Sequence, residues 1–269
     1  MLKKTNTKII GILNITKNSF FDGGKYLNIN NATKHVKNMI ENDVDIIDIG
    51  AESSKPGFSD IDANIQLKRI IPVLKKLKKI KGKFKLSIDT RSSLVASESI
   101  KQGVSIINDV SAGTYDSDMF KAIAQTGTEL IITHMPEIHK QKKIMKSKNI
   151  LKDVEQYLTQ RINDAVKCGI KRRNIIVDPG ICYGKKGDDN IKILQNLSFF
   201  VKKFKRVCIG ASNKEFSTSL FKNYKKKDIY ISSIVTTTQA SLASVEFIRV
   251  HDVCIASEAL KICNKVHNS

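Results

Sequence analysis

The strongest constraint on the fold is a recurring pattern. Between Phe84 and Asp109 the chain reads as strand, helix, strand. One short apolar run, Phe-Lys-Leu-Ser-Ile-Asp, stops on Asp89, and a second, Gly-Val-Ser-Ile-Ile-Asn, stops on Asn108. Between them Leu94, Val95, Ser99, Ile100 and Gly103 have helical spacing, with Gly103 as a natural stop. The same alternation recurs from Ile9 to Val266. Further strands are predicted at Ile9–Leu13, Asp45–Gly50, Glu129–Met135, Asn174–Gly180, Arg206–Gly210 and Val245–Val253. The helices between them are predicted over 32–42, 61–80, 117–125, 151–169, 191–200, 228–244 and 256–266, and Pro72 is expected to kink the second. Eight strand–helix alternations with no low-complexity linker argue for a parallel sheet in one domain spanning 1–269. At this length they point to a closed (β/α)8 TIM barrel of the α/β class. An open doubly wound sheet is the alternative, but it would want a Gly-x-Gly-x-x-Gly turn after the first strand, and none stands there.

In such a barrel every strand C-terminus opens on one face. Asn14, Asp89, Asn108, His134, Asp178, Lys214, Arg249 and His251 are therefore expected around one mouth. Asp89, Asn108 and Asp178 form an acceptor-rich wall. Buried carboxylates without partners cost several kcal/mol, so the wall calls for a donor array. A guanidine-like edge suits it, as carried by purines, pterins and arginine-like groups. Lys214, Arg249 and His251 form a cationic wall that suits phosphate or carboxylate. Asn14 could lend an oxygen to a hard cation such as magnesium. Taken singly, Asp89 and Asp178 read as helix N-caps and His134 as a packed histidine at the core rim.

Composition narrows the classes. The formal charge is +20, from 46 Lys+Arg against 26 Asp+Glu. The basic clusters (75–85, 140–148, 202–206, 225–227) are scattered along the chain without interleaved aromatics. They read as a solvated surface, not a nucleic-acid groove, so no nucleic-acid partner is expected. Five cysteines lack any Cys-x-x-Cys pair, which favours reduced thiols and a cytoplasmic setting. The N-terminal residues show no signal-peptide apolar region, and no apolar run is long enough to span a membrane, so no membrane partner is expected either.

Eight stretches carry a resemblance. They are Gly11–Gly24 (GILNITKNSFFDGG), Ile47–Gly57 (IDIGAESSKPG), Ser87–Thr90 (SIDT), Ile106–Val110 (IINDV), His134-Met135, Asp178–Lys185 (DPGICYGK), Gly210–Lys214 (GASNK) and Arg249–Val253 (RVHDV). In this order and at strand ends, they resemble dihydropteroate synthase along nearly the whole chain. The resemblance implies a (β/α)8 barrel that condenses 6-hydroxymethyl-7,8-dihydropterin diphosphate with 4-aminobenzoate in folate biosynthesis. It implies that Asp89, Asn108, Asp178 and Lys214 hold the pterin, and that Ser54, Arg249 and His251 take the diphosphate. Lys55 and Ser212 would border the aminobenzoate pocket, Asn14 would bind Mg2+, and the protein would be a homodimer. The chain departs from the family's usual pattern at Lys17, Asn18, Lys55 and Asn213, where Pro, Asp, Arg and Arg are usual.

Overall fold

A computed structural model describes residues 7–16, 29–52, 59–136, 143–212, 214, 216 and 226–267. Its elements follow one another as β1 (Lys8–Asn14), α1 (Ile29–Glu41), β2 (Ile46–Gly50), α2 (Ala63–Leu77), β3 (Lys85–Asp89), α3 (Ser93–Lys101), β4 (Ile106–Asp109), α4 (Met119–Ile123) and β5 (Glu129–Thr133). Then come α5 (Ile150–Lys167), β6 (Ile175–Asp178), α6 (Gly187–Gln195), α7 (Leu197–Phe204), β7 (Cys208–Ile209), α8 (Lys226–Leu242), β8 (Phe247–Val250) and α9 (Val253–His267). All pairings among the eight strands are parallel, in the order β6-β5-β4-β3-β2-β1-β8-β7. The ends of that row meet through one bridge, Val177 with Val207, where the Val177 N–H donates to the Arg206 carbonyl at 3.1 Å. The sheet thus curls into the expected barrel.

Strand pleating sorts the side chains. Ile10, Ile46, Ile106, Ile131, Ile176, Cys208 and Phe247 pack together as one layer inside the barrel. The alternate residues, such as Leu13, Ile47, Ile49, Ile88 and Ile107, join the helices in a larger core outside it. The helices turn apolar stripes onto that core: α2 buries Ile70, Val73, Leu74 and Leu77, and α5 buries Ile150, Val154, Leu158, Ile162 and Ala165. Asp62 caps α2 by accepting from the Asn64 and Ile65 N–H groups.

The helix α2 continues past Pro72, which lies on the exposed face, where the hydrogen bond it cannot donate costs least. Two other expectations need adjusting. The helix expected over 191–200 is two helices, meeting at Asn196, whose φ/ψ of −114°/28° leaves the helical region. The one expected over 117–125 shrinks to Met119–Ile123.

The strand N-terminal end is closed by ions. Arg206 donates to Glu246 through Nε and Nη2 (both 2.8 Å) and to Glu129 through Nη1 (2.6 Å). Lys85 reaches Glu129 at 3.3 Å, and Lys8 reaches Glu246 at 3.9 Å.

Candidate active site

The parallel register brings the strand ends to one level. Asn14 lies beside Gly50, Gly50 beside Asp89, and Asp89 beside Asn108; on the other flank Thr133 lies beside Asp178. Glycines report the closeness across the mouth. A Cβ on Gly50 would stand 3.4 Å from Asn14 Oδ1 and 3.6 Å from Asp89 Cβ. One on Gly210 would stand 3.6 Å from Asp178 Oδ2 and 3.8 Å from Arg249 Cβ. Asn14, Asp89, Asn108, Asp178 and Arg249 therefore gather at the C-terminal ends of the strands, as expected. Neither Asp89 nor Asp178 caps a helix: Ser92 caps α3, and Lys186 precedes α6.

Arg249 is not set across the mouth from the carboxylates, as the picture of two opposed walls requires. Its Nε–H donates to Asp48 Oδ2 (2.6 Å) and its Nη2 to Asp89 Oδ2 (2.7 Å). Asn108 Nδ2 also donates to Asp48 Oδ2, at 3.0 Å. Asp48 is thus the hub of the site, fully buried at 0% exposure, and its Oδ1 has no hydrogen-bond partner among the described residues. Burial pushes the Asp89 carboxyl up to about 7; Arg249 opposes the rise, and Asp48, Glu52 and Asp109 add to it.

The other flank is built on the loop after β6. Burial raises the Asp178 carboxyl, while Lys214, the Gly180 N–H, Lys185 and Arg249 hold it down. Lys214 Nζ donates to the Ile181 carbonyl (2.7 Å) and lies 4.3 Å from the centre of the Tyr183 ring. Ser212 Oγ accepts from the His251 N–H at 3.2 Å, so these two also meet. His134 is buried and sets its ring edge-on to Tyr157 at 4.9 Å; burial and the nearby Lys185 hold the imidazole well below its usual range. It behaves as the packed histidine expected. Ser54, Lys55, Lys17, Asn18 and Asn213 lie outside the described residues.

Sequence reasoning missed Asp48, Lys185 and Arg91. Asp48 sits in mid-strand, and only strand ends had been considered. Period-two counting finds it, because it shares a face with Ile46 and Gly50 in an otherwise apolar strand. Arg91, 4% exposed, donates to Glu52 (2.6 and 3.0 Å) and Asp60 (3.0 Å), on either side of residues 53–58, and stacks on Tyr115. Among the described residues no set of three His, Cys, Asp or Glu side chains could hold a metal ion. Asn14 offers one amide oxygen. That suits magnesium, which draws most of its shell from water and phosphate.

The barrel mouth pairs buried carboxylates with an arginine and a lysine, and residues 10–251 match the family described as pterin binding enzyme, which sets the class of the protein. Within that class the chain belongs to the dihydropteroate synthases. It is 35% identical over 257 residues to the dihydropteroate synthase of Clostridium beijerinckii, covering 95% of this chain and 93% of that one. The Yersinia pestis dihydropteroate synthase, solved with a sulfonamide drug, superposes with a TM-score of 0.92 at 29% identity, covering 100% of this chain and 97% of that one. The Anaplasma phagocytophilum dihydropteroate synthase, solved with bound 6-hydroxymethylpterin-monophosphate, gives 0.87 at 32% identity, covering 97% and 99%. The chain spans about half the length of the plant bifunctional folate-synthesis proteins it also matches.

Proposed function

We propose that this chain joins 6-hydroxymethyl-7,8-dihydropterin diphosphate to 4-aminobenzoate, giving 7,8-dihydropteroate and diphosphate. The observation that carries the reading is the cluster of Asp48, Asp89, Asn108, Asp178 and Arg249 in a dihydropteroate synthase barrel. In this reading Asp178, Asn108 and Lys214 meet the amino, ring N–H and carbonyl groups of the pterin. Arg249 spends two of its five N–H groups on Asp48 and Asp89 and keeps the others for a phosphate oxygen. Its carboxylate partners therefore pre-set the anion grip, with His251 on the same strand end. As the C–O bond to diphosphate breaks, positive charge grows on the pterin methylene, and Asp89 and Asp178 stabilise it. The aryl amine is already neutral near pH 7, so no general base is needed for its attack.

Mg2+ fits beside Asn14 as the proposed cofactor; when bound it would neutralise the leaving diphosphate. Ser54, Lys55 and Ser212 are proposed to border the diphosphate and aminobenzoate. Diphosphate release from the two substrates with magnesium is the test. Release dependent on both substrates is expected, and none at all would sink the reading.

We also propose a homodimer, with no membrane or nucleic-acid partner, working in the cytoplasm. Among the described residues no cysteine forms a disulfide, and no helix is long and apolar enough to cross a membrane. The support for a dimer is α8, which exposes Tyr230 (38%), Ile231 (48%), Ile234 (40%) and Val235 (60%) along one side. Light scattering should give twice the chain mass, and Ile231→Glu with Val235→Glu should halve it. A wild-type monomer would contradict the dimer.

A further inference from the structure

We infer that Lys185 is a positioning residue for the pterin site, its ammonium folding the loop after β6 so that Asp178 and Lys214 stand ready for the ring. The inference rests on the proposed reading of that site and adds a residue to it.

The geometry is a one-to-one match. An ammonium has three N–H donors. Lys185 Nζ meets three backbone carbonyls: Gly180 at 2.5 Å, His134 at 3.0 Å and Tyr183 at 3.4 Å. They come from two places, the exit of β5 and the loop after β6, so one side chain staples both. The loop is bent to aim them inward. Gly180, Cys182 and Gly184 all take positive φ, at 74°, 67° and 65°. A side chain on Gly180 would collide with the His134 carbonyl, so glycine alone allows this approach. Cys182 accepts the same handedness against its own preference. Asn190 ties the loop from outside, accepting from the Cys182 N–H (2.7 Å) and donating to the Lys186 carbonyl (2.7 Å).

Both pterin-site groups hang on this loop. The Gly180 N–H donates to Asp178 Oδ1 at 2.8 Å, and the Ile181 carbonyl with the Tyr183 ring seats Lys214. Lys185 itself is 6% exposed and forms no ion pair among the described residues. A buried charge held only by carbonyl dipoles is a costly way to pack a loop. A methionine would fill the same volume; what it would lack is three donors and a positive charge next to Asp178.

The charged groups facing this ammonium are Asp178 on β6, Lys214 after β7, Asp189 on α6, Cys182 in the loop and His134 after β5. Burial brings Lys185 down to about 7, with Asp178 opposing and Lys214 assisting. The neutral amine has two N–H groups and a lone pair that would face a carbonyl. The loop is therefore expected to slacken as pH rises above about 7.

The test measures dihydropterin diphosphate affinity by calorimetry and both KM values by diphosphate release, for wild type, Lys185→Met and Lys185→Gln. At pH 6.5 the Met variant should bind the pterin at least about tenfold more weakly, with the aminobenzoate KM within about twofold of wild type. Gln, which keeps two donors, should fall between them. The ratio of the Met variant's Kd to the wild-type Kd should shrink by pH 9, because wild type then loses the charge and one of its three donors. Titration of Asp89 is common to all three proteins and cancels in the ratio. Equal pterin affinity in a Met variant that melts cooperatively would overturn the inference while leaving the proposed function intact. A wild type that does not bind the pterin would instead overturn the function. Should neither variant fold, Asn190→Ala, which loosens the same loop without removing Lys185, takes their place, and an unchanged pterin Kd in it overturns the inference.

Discussion

Arg249 shows how much of this site depends on pairs that strand-end reading does not reveal. Its position at the end of β8 was legible in the chain, and so was its charge. Its partners were not. Asp48 lies 201 residues away in sequence, and the contact exists only because β8 and β2 both flank β1. Asp89 carries the clearest pH signature. Its folded carboxyl titrates near 7, whereas an unfolded one titrates near 3.9. The folded state thus binds more protons between those values, and the contribution of Asp89 to stability falls as pH rises from about 4 to about 7. In the ligand-free protein, the Tm of Asp89→Asn minus that of wild type should grow across that window. The slope carries the prediction, since losing the Arg249 pair shifts the offset. A difference that stays flat with pH would contradict it.

At the scale of elements, the strand–helix alternation was readable because most strands are runs of Ile and Val bounded by turns, and helices such as α2 and α5 carry regular apolar stripes. Ends were less readable. The break at Asn196 is a matter of backbone angles, since apolar spacing continues through Phe199 and Phe200. The shortness of β7 follows from its having one full neighbour, β8, and a bare bridge on the other side. The turn after β3 holds the other unforeseen device. Arg91 draws Glu52 and Asp60 together, and the Ile61 N–H donates to Glu52 as well, so the two ends of the 53–58 segment are fastened to one guanidinium. Arg91→Met should cost about 3 kcal/mol in urea unfolding, because it leaves the nearly buried Glu52 without its cation. It should also raise the aminobenzoate KM. Arg91→Lys should restore only part, as a point charge cannot fork between two carboxylates. Unchanged stability in the Met variant would show the clamp to be idle.

For the whole molecule, part of the basic charge gathers at one end. Lys78–Lys83 and Lys171–Arg173 lie in the connections entering β3 and β6, and Lys202–Lys205 at the C-terminal end of α7 before β7, all opposite the mouth; the 143–148 stretch stands instead between β5 and α5, and Lys226 and Lys227 open α8. Helix C-termini point to that end and favour cations there. Arg206 is the internal part of this arrangement, linking strands through Glu129 and Glu246. Arg206→Ala should lower stability by about 1–2 kcal/mol while leaving kcat/KM unchanged. A comparable loss of turnover would mean that the two ends of the barrel communicate.

The closure between β6 and β7 sets where the barrel wall is weakest. Every other pair of neighbouring strands is laced by at least two registered residue pairs, whereas here Val177 and Val207 alone join the edges. The cylinder is therefore stitched most thinly along one seam, and that seam runs up to Asp178 on one lip and Gly210 on the other.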